Sequence, residues 1–133
     1  MIAVLDASAA VELALDKSNA SLFRSTLYDA DLVIAPDIYP SEITNVFWKY
    51  ARFGEIESLK CENGIDYCLD LVDDYIGTKS ICREVFLEAM NTHHPSYDIF
   101  YLVVARRHNA LLITKDKKLL STARQLKIKV LEP

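Results

Sequence analysis

Two acidic residues follow stretches that we predict to be buried β-strands. Asp6 comes directly after the apolar run Ile2–Leu5, and Asp116 comes two residues after the run at 110–114. Short apolar runs with β-branched members are typical of strands covered on both faces of a parallel sheet. In such sheets, ligands bind beyond the carboxyl ends of the strands, where the strand order reverses. We therefore expect Asp6 and Asp116 to emerge side by side at one edge.

Two further acidic residues lie on predicted helices. Glu42 stands between Tyr39 and Val46, so it interrupts the apolar stripe of its helix instead of facing water. Asp98 lies in the first turn of a helix at 97–108, whose first part is apolar almost all round and is therefore predicted to be buried. Both helices follow segments that end at the same edge of the sheet. All four carboxylates are thus expected to gather there.

A cluster of partly buried carboxylates indicates a cation. Such groups repel one another and are costly to remove from water, so a protein that keeps them together usually places a positive charge among them. Oxygen ligands of this kind suit Mg²⁺ or Mn²⁺, which retain several waters that a substrate phosphate can displace. Zinc is disfavoured, because no cysteine or histidine stands at a matched ligand spacing.

Each of the four acids also has a purely structural explanation. Asp6 is suited to an Asx-turn, and Asp116 is a natural N-cap for the helix that follows it. Asp98 would be stabilised by the dipole of its helix, and Glu42 by an ion pair with Lys49 or an arginine. It is the placement of all four at one sheet edge that favours a functional site.

The acids are positioned by strands that alternate with helices along the chain. Strands are predicted at 2–5, 32–35, 75–79, 110–114 and 129–131, the last at an edge. Helices are predicted at 9–15, 19–28, 36–54, 55–73, 80–91, 97–108 and 117–126, with Ser8, Asp37, Ser80 and Ser96 as N-caps. Strands separated by helices predict an α/β sandwich around a parallel sheet.

The overall composition limits the classes of protein. With 133 residues and no linker or repeat, the chain is predicted to form a single domain, 1–133. Its formal net charge of −4 argues against a large non-specific nucleic-acid surface. The longest apolar run, at 99–105, is far shorter than the about 20 residues of a membrane span. No secretory signal is present at the N-terminus, so we expect a cytoplasmic protein with no membrane partner.

Four short motifs, in this order along the chain, resemble those of the PIN-domain ribonucleases, and in particular the VapC-type toxins of toxin–antitoxin pairs. They are VLDAS at 4–8, PSEITNV at 40–46, SYDIFYLVVA at 96–105 and LLITKD at 111–116. The resemblance implies a three-layer α/β/α sandwich whose central parallel sheet has the strand order 3-2-1-4-5. It also implies a Mg²⁺- or Mn²⁺-dependent endoribonuclease.

The resemblance further implies the site and the partners. The acidic positions of the family correspond to Asp6, Glu42, Asp98 and Asp116 as catalytic residues and metal ligands, with Ser8 and Thr114 as supporting polar groups. The implied partners are an RNA substrate, an antitoxin protein and a second copy of the chain in a homodimer. The aromatic residues at 47–53 are most simply interpreted as core with a partly exposed edge, and they are also the candidate groove for the antitoxin.

Some residues near the motifs receive weaker interpretations. The segment before Asp98 reads His93-His94-Pro95, where the family often has small residues, and we interpret the two histidines as loop residues and not as a catalytic base. Lys115, Lys117 and Lys118 flank Asp116 and are candidates to hold phosphates or simply solvated charges.

Two other functions remain open at this point. One is an aspartate-nucleophile phosphatase, which also begins with an aspartate after the first strand but usually has a second one two residues later, where this chain has Ser8. The other is a catalytically silent module that binds RNA or protein. Cleavage of RNA with and without Mg²⁺ would separate these functions from the ribonuclease.

Overall fold

A computed structural model describes residues 1–133. Its four β-strands are β1 (Ile2–Leu5), β2 (Leu32–Pro36), β3 (Asp74–Ile76) and β4 (Leu111–Ile113). Its seven α-helices are α1 (Ala7–Ala14), α2 (Ala20–Asp29), α3 (Tyr39–Arg52), α4 (Ser58–Asp70), α5 (Cys82–Thr92), α6 (Ser96–His108) and α7 (Lys117–Gln125). A 3₁₀ turn at Lys79–Ile81 leads into α5. No helix has the length and apolar character needed to cross a bilayer.

The strands form one parallel sheet in the order β3-β2-β1-β4. β1 lies inside the sheet, where Val4 is paired with Ile34 of β2 on one side and with Leu112 of β4 on the other. Residues 3–5 of β1 are fully buried, as expected for a strand with helices on both faces. The predicted α/β class, with a central parallel sheet flanked by helices, is confirmed.

The predicted fifth strand at 129–131 is reduced to a single parallel bridge between Leu112 and Val130. The amide of Leu112 donates to the carbonyl of Lys129 over 2.9 Å, and the amide of Leu131 donates to the carbonyl of Leu112 over 3.0 Å. The next residue, Glu132, pairs with Arg124 of α7 and not with the sheet. A fifth segment therefore lies next to β4, as the predicted strand order requires, but it is paired with β4 over a single pair of residues.

The helices form two groups around the sheet. α6 packs on β1, β2 and β4 and against α5, while α1 packs against α2, α3 and α4. α6 is the most deeply buried helix, because its residues 101–105 are almost completely shielded from solvent. This burial explains why its sequence is apolar nearly all round. It also places the first turn of α6 at the carboxyl edge of the central strands.

Four of the predicted N-caps are wrong. α1 starts at Ala7 with Asp6 as its N-cap, α3 starts at Tyr39 and not after Asp37, and Ser96 is already inside α6. Ser80 lies within the 3₁₀ turn. Two of these side chains bind other partners instead: Ser8 donates to the Asp6 carboxylate, and the Asp37 carboxylate accepts a 2.7 Å hydrogen bond from the hydroxyl of Thr78. Only Asp116 makes side-chain capping hydrogen bonds.

Candidate active site

Asp6 is buried at the end of β1 and is held by two hydroxyl groups. Ser8 Oγ and Thr114 Oγ1 each donate a hydrogen bond of 2.6 Å to the same oxygen, Oδ2. Both hydroxyls also accept a hydrogen bond from the backbone after β4, Ser8 from the amide of Lys115 over 3.1 Å and Thr114 from that of Asp116 over 3.0 Å. The predicted supporting residues Ser8 and Thr114 therefore orient Asp6 and leave its second oxygen free.

The electrostatic environment of Asp6 is that of a crowded acidic site. Burial raises the pKa of its carboxyl group, and the two hydroxyl hydrogen bonds act in the opposite direction. The negative charges of Asp98 and Asp116 raise the pKa further. The charges of Asp98 and Asp116 thus both reach Asp6, and a cation among these acids would relieve the repulsion.

Glu42 projects from the first turn of α3 and is held by Tyr101 of α6. The buried Tyr101 hydroxyl donates a 2.7 Å hydrogen bond to Glu42 Oε1. Burial raises the pKa of Tyr101, so this hydroxyl stays protonated and acts as a donor. Burial also raises the pKa of Glu42 to about 7, with the Tyr101 hydrogen bond opposing the shift and the charges of Asp6 and Asp98 adding to it. Lys49, suggested by the sequence, does not pair with Glu42.

Asp98 lies in the first turn of α6, with 31% of its side chain exposed. Its Oδ2 is 2.9 Å from Nε2 of His94, a residue that the structure buries. Asp98 and Glu42 line the same surface depression, of about 410 Å³, together with Ser41, Asn45, Pro95 and Tyr97. The carboxylates of α3 and α6 therefore face a common space that is open to solvent.

Asp116 combines the structural role suggested by the sequence with a place at the site. Its Oδ1 caps α7 by accepting hydrogen bonds from the amides of Lys118, at 2.9 Å, and Leu119, at 3.3 Å. Of the neighbouring lysines, Lys115 forms an ion pair of 3.1 Å with the buried carboxylate of Glu12. Lys117 and Lys118 are exposed and form no ion pair, so they are better placed than Lys115 to meet a phosphate.

The four acids share one pattern of hydrogen bonding. In each carboxylate, one oxygen accepts hydrogen bonds from the protein and the other accepts none. None of these second oxygens is a buried atom without a partner, so all four remain in contact with solvent. Carboxylates oriented through one oxygen and open at the other are preorganised to bind a ligand or an ion.

The donor set fits a hard divalent cation. All the available atoms are carboxylate oxygens, which Mg²⁺ and Mn²⁺ prefer. No three acidic, histidine or cysteine side chains converge into a complete cage. Mg²⁺ does not need such a cage, since it commonly binds one or two carboxylates directly and keeps several waters. The residues therefore fit a partly hydrated Mg²⁺ or Mn²⁺ better than a tightly enclosed metal.

Two residues of this arrangement were missed by sequence analysis. Tyr101 stands three positions after Asp98, a spacing that places both on one face of α6, and this spacing could have indicated it. His94 was interpreted as an ordinary loop residue, but the structure buries it against Asp98. No local sequence pattern distinguishes His94 from its exposed neighbour His93.

Comparison with known proteins places this arrangement in context. The sequence model of the PIN domain matches residues 3–125. PAE2754 from Pyrobaculum aerophilum superposes with a TM-score of 0.77 at 21% sequence identity, over 98% of this chain and 83% of that one. VapBC2 from Rickettsia felis, solved bound to a DNA fragment from its promoter, superposes with a TM-score of 0.71 at 14% identity, over 98% of both chains. No curated protein matches the sequence.

Proposed function

The chain belongs to the PIN domain family, and on this premise we propose that it is a Mg²⁺- or Mn²⁺-dependent endoribonuclease, the VapC-type toxin of a toxin–antitoxin pair. One observation carries the proposal: at one edge of the sheet, four carboxylates each have one oxygen held by the protein and one open to solvent. The likeness of the fold to the Rickettsia felis VapBC2 complex supports the toxin assignment.

Asp6, Asp98 and Asp116, with Glu42, would hold one or two cations. The bound ion would supply a water of lowered pKa and neutralise the charge that builds on the phosphate during in-line displacement. Ser8 and Thr114 keep Asp6 oriented, and Tyr101 keeps Glu42 oriented. Because the pKa of Glu42 is raised to about 7, its free Oε2 is able to hold or release a proton near neutral pH.

The surroundings of the acids suit a single-stranded RNA. Tyr97, adjacent to Asp98, is 68% exposed and lines the depression that contains Glu42 and Asp98. An exposed aromatic ring beside a catalytic centre is able to stack on an unpaired base. Lys117 and Lys118, just after Asp116, would contact the backbone phosphates and position the strand. This small basic rim is compatible with the overall charge of −4.

The proposed partners are an antitoxin protein and a second copy of the chain. A groove between α3 and α4 is lined by Phe47, Trp48, Ala51, Cys61 and Ile65. An amphipathic segment of an antitoxin would bury its apolar side chains in such a groove. On α5, the exposed apolar residues Phe86, Leu87 and Met90 form a second surface that a homodimer would cover.

RNA cleavage by the purified protein tests the proposed function. The assay compares Mg²⁺, Mn²⁺ and chelator on a panel of RNAs, for wild type and for Asp6→Asn, Asp98→Asn and Glu42→Gln. We expect cleavage only with a divalent ion and a loss of orders of magnitude in each variant, because each removes a negative ligand or proton acceptor. Asp66→Asn, which neutralises an exposed acid on α4, is the matched control and should cut as fast as wild type.

The same assay separates the alternatives. A silent binding module would bind RNA without cutting it under any condition. An aspartate-nucleophile phosphatase would release phosphate from small phosphomonoesters and leave RNA intact. The ribonuclease proposal is wrong if Asp98→Asn cuts as fast as the wild type or if cleavage persists unchanged in chelator.

A further inference from the structure

The most unexpected neighbour of the acidic residues is His94, in the loop between α5 and α6. Only 1% of its side chain is exposed, although the residue follows an exposed histidine and precedes an exposed proline. Its Nε2 lies 2.9 Å from Oδ2 of Asp98, and its Nδ1 lies 3.0 Å from Oγ1 of Thr122. The ring is therefore fixed from both sides.

The direction of the first hydrogen bond follows from the chemistry of the partners. An ionised carboxylate only accepts hydrogen bonds, so Nε2 of His94 is the donor to Asp98. The hydroxyl of Thr122 lies 3.0 Å from Nδ1 and is also placed to donate to the carbonyl of Lys118 over 3.1 Å, so its single proton serves one of these two acceptors at a time. Asp98 is thus pulled toward the protein through Oδ2, which leaves Oδ1 on the open side.

His94 also connects the two helices that carry acids at the site. Asp98 belongs to the first turn of α6, whereas Thr122 belongs to α7, the helix that Asp116 caps. The imidazole of His94 therefore links the Asp98 carboxylate of α6 to the Thr122 side chain of α7. Groups that orient metal ligands in this way contribute about 10- to 100-fold to metal affinity.

We propose that His94 is a positioning residue that fixes the Asp98 carboxylate, and its placement relative to Asp116, for binding of the divalent cation. This inference rests on the proposed function, because it concerns the same site. A purely structural role for a buried histidine would lower stability when the residue is replaced. It would not lower metal affinity beyond the effect of an equally destabilising change elsewhere.

The test measures binding of Mn²⁺ alone to the full chain by calorimetry, together with thermal melts and kcat and KM for RNA. We expect His94→Ala to weaken Mn²⁺ binding about tenfold or more. His94→Gln should recover most of that affinity, because its amide nitrogen also donates. Thr122→Val, which keeps the volume but removes the hydroxyl, should show a smaller loss in the same direction.

Two control variants isolate the effect. His93→Asn alters the exposed neighbouring histidine with a residue that tolerates its left-handed backbone (φ 54°), and Mn²⁺ affinity should be unchanged. Phe23→Leu, in the buried face of α2, should lower the melting temperature without weakening Mn²⁺ binding.

The outcomes distinguish this proposal from the proposed function. The role of His94 is overturned if wild type binds Mn²⁺ and the Mn²⁺ affinity of His94→Ala is within twofold of wild type, or is no lower than that of Phe23→Leu. This result would leave the ribonuclease proposal standing. Wild type that neither binds Mn²⁺ nor cuts RNA overturns both. If His94→Ala does not fold, Thr122→Val decides, and an affinity equal to wild type overturns the proposal.

Discussion

At Glu42, burial and hydrogen bonding act on the same carboxyl group in opposite directions. Burial is the larger effect and raises the pKa to about 7, while the hydrogen bond from Tyr101 favours the charged form. At pH values between the usual pKa of a glutamate, near 4.5, and this raised pKa, the folded protein binds a proton at Glu42 that the unfolded chain does not bind. Raising the pH through this window therefore favours unfolding.

This shift predicts the pH dependence of stability without metal. In chelator, wild type should lose melting temperature as the pH rises from about 5 to about 8. Glu42→Gln should lose less over the same range, because glutamine does not titrate. Some dependence of the melting temperature on pH should remain in this variant, because burial also raises the pKa of Asp6. The groups with lowered pKa values, Asp31, Glu84 and Glu132, titrate below this window and do not obscure it.

Thermal melts at several pH values check this prediction. The exposed Glu62, on α4, provides the matched control, and Glu62→Gln should keep the wild-type slope. If the melting temperatures of Glu42→Gln and wild type fall equally with pH, Glu42 is ionised over the whole range and its burial does not raise its pKa.

Among the elements, α3 and α4 make a close contact that depends on one glycine. Gly64 lies in the middle of α4, where glycine costs about 1 kcal/mol relative to alanine. A Cβ atom at this position would lie 2.6 Å from the ring of Phe47, a fully buried side chain of α3. The unfavourable residue is therefore retained because it lets the two helices approach.

Gly64→Ala should lower stability despite the better helix propensity of alanine. Overpacking against Phe47 is expected to cost about 1–3 kcal/mol. The gain in helix propensity is about 1 kcal/mol at most, so the net effect is destabilising over most of this range. Urea denaturation measures the difference. Asn63→Ala, at an exposed position of the same helix, isolates the propensity effect and should be neutral or stabilising. A Gly64→Ala protein as stable as Asn63→Ala would mean that Phe47 moves without cost.

α6 has a different role, since it organises the site from the centre of the fold. Its first turn carries Asp98, and its next turn carries Tyr101, which holds Glu42 of α3. Because α6 is buried against three strands, both side chains start from a rigid backbone. Rigid support of this kind is what a preorganised ligand set requires.

For the molecule as a whole, Glu42 and the apolar groove lie on neighbouring parts of α3. Trp48 is 57% exposed and lines the groove between α3 and α4, about two turns after Glu42. A large exposed aromatic side chain in a groove is a typical anchor for a partner protein. The proposed antitoxin would therefore bind close to the acids through contacts that the chemistry does not use.

Trp48→Ala should weaken binding of the proposed antitoxin by about 2 kcal/mol or roughly 30-fold, the loss typical of an interface hot spot. RNA cleavage by the free protein should change little. Calorimetric titration measures the affinity, and sedimentation of the variant shows whether the proposed homodimer persists. Tyr28→Ala removes another exposed aromatic residue, on α2 and outside the groove, and should bind normally. Equal affinity of Trp48→Ala and wild type would exclude this groove as the antitoxin site.

Much of the architecture could be predicted from the sequence because it depends on local patterns. Short apolar runs that alternate with amphipathic segments specify buried parallel strands and covering helices, and parallel strands end at one common edge. The convergence of Asp6, Glu42, Asp98 and Asp116 follows from that geometry. Membership of the PIN domain family, which the motifs indicated, is confirmed, whereas the roles of these four acids stay a prediction.

The tertiary structure decided which side chains hold the acids and where helices begin. Glu42 meets Tyr101 across 59 positions of sequence, and His94 meets Thr122 across 28. Such partners are chosen by how packed elements approach one another, and no local period or capping preference encodes that approach. Ser8, which local preference suggested as a helix cap, instead lies 3.1 Å from the hydroxyl of Thr114, 106 positions away, and donates to the Asp6 carboxylate. Satisfying a buried carboxylate matters more here than capping a helix end.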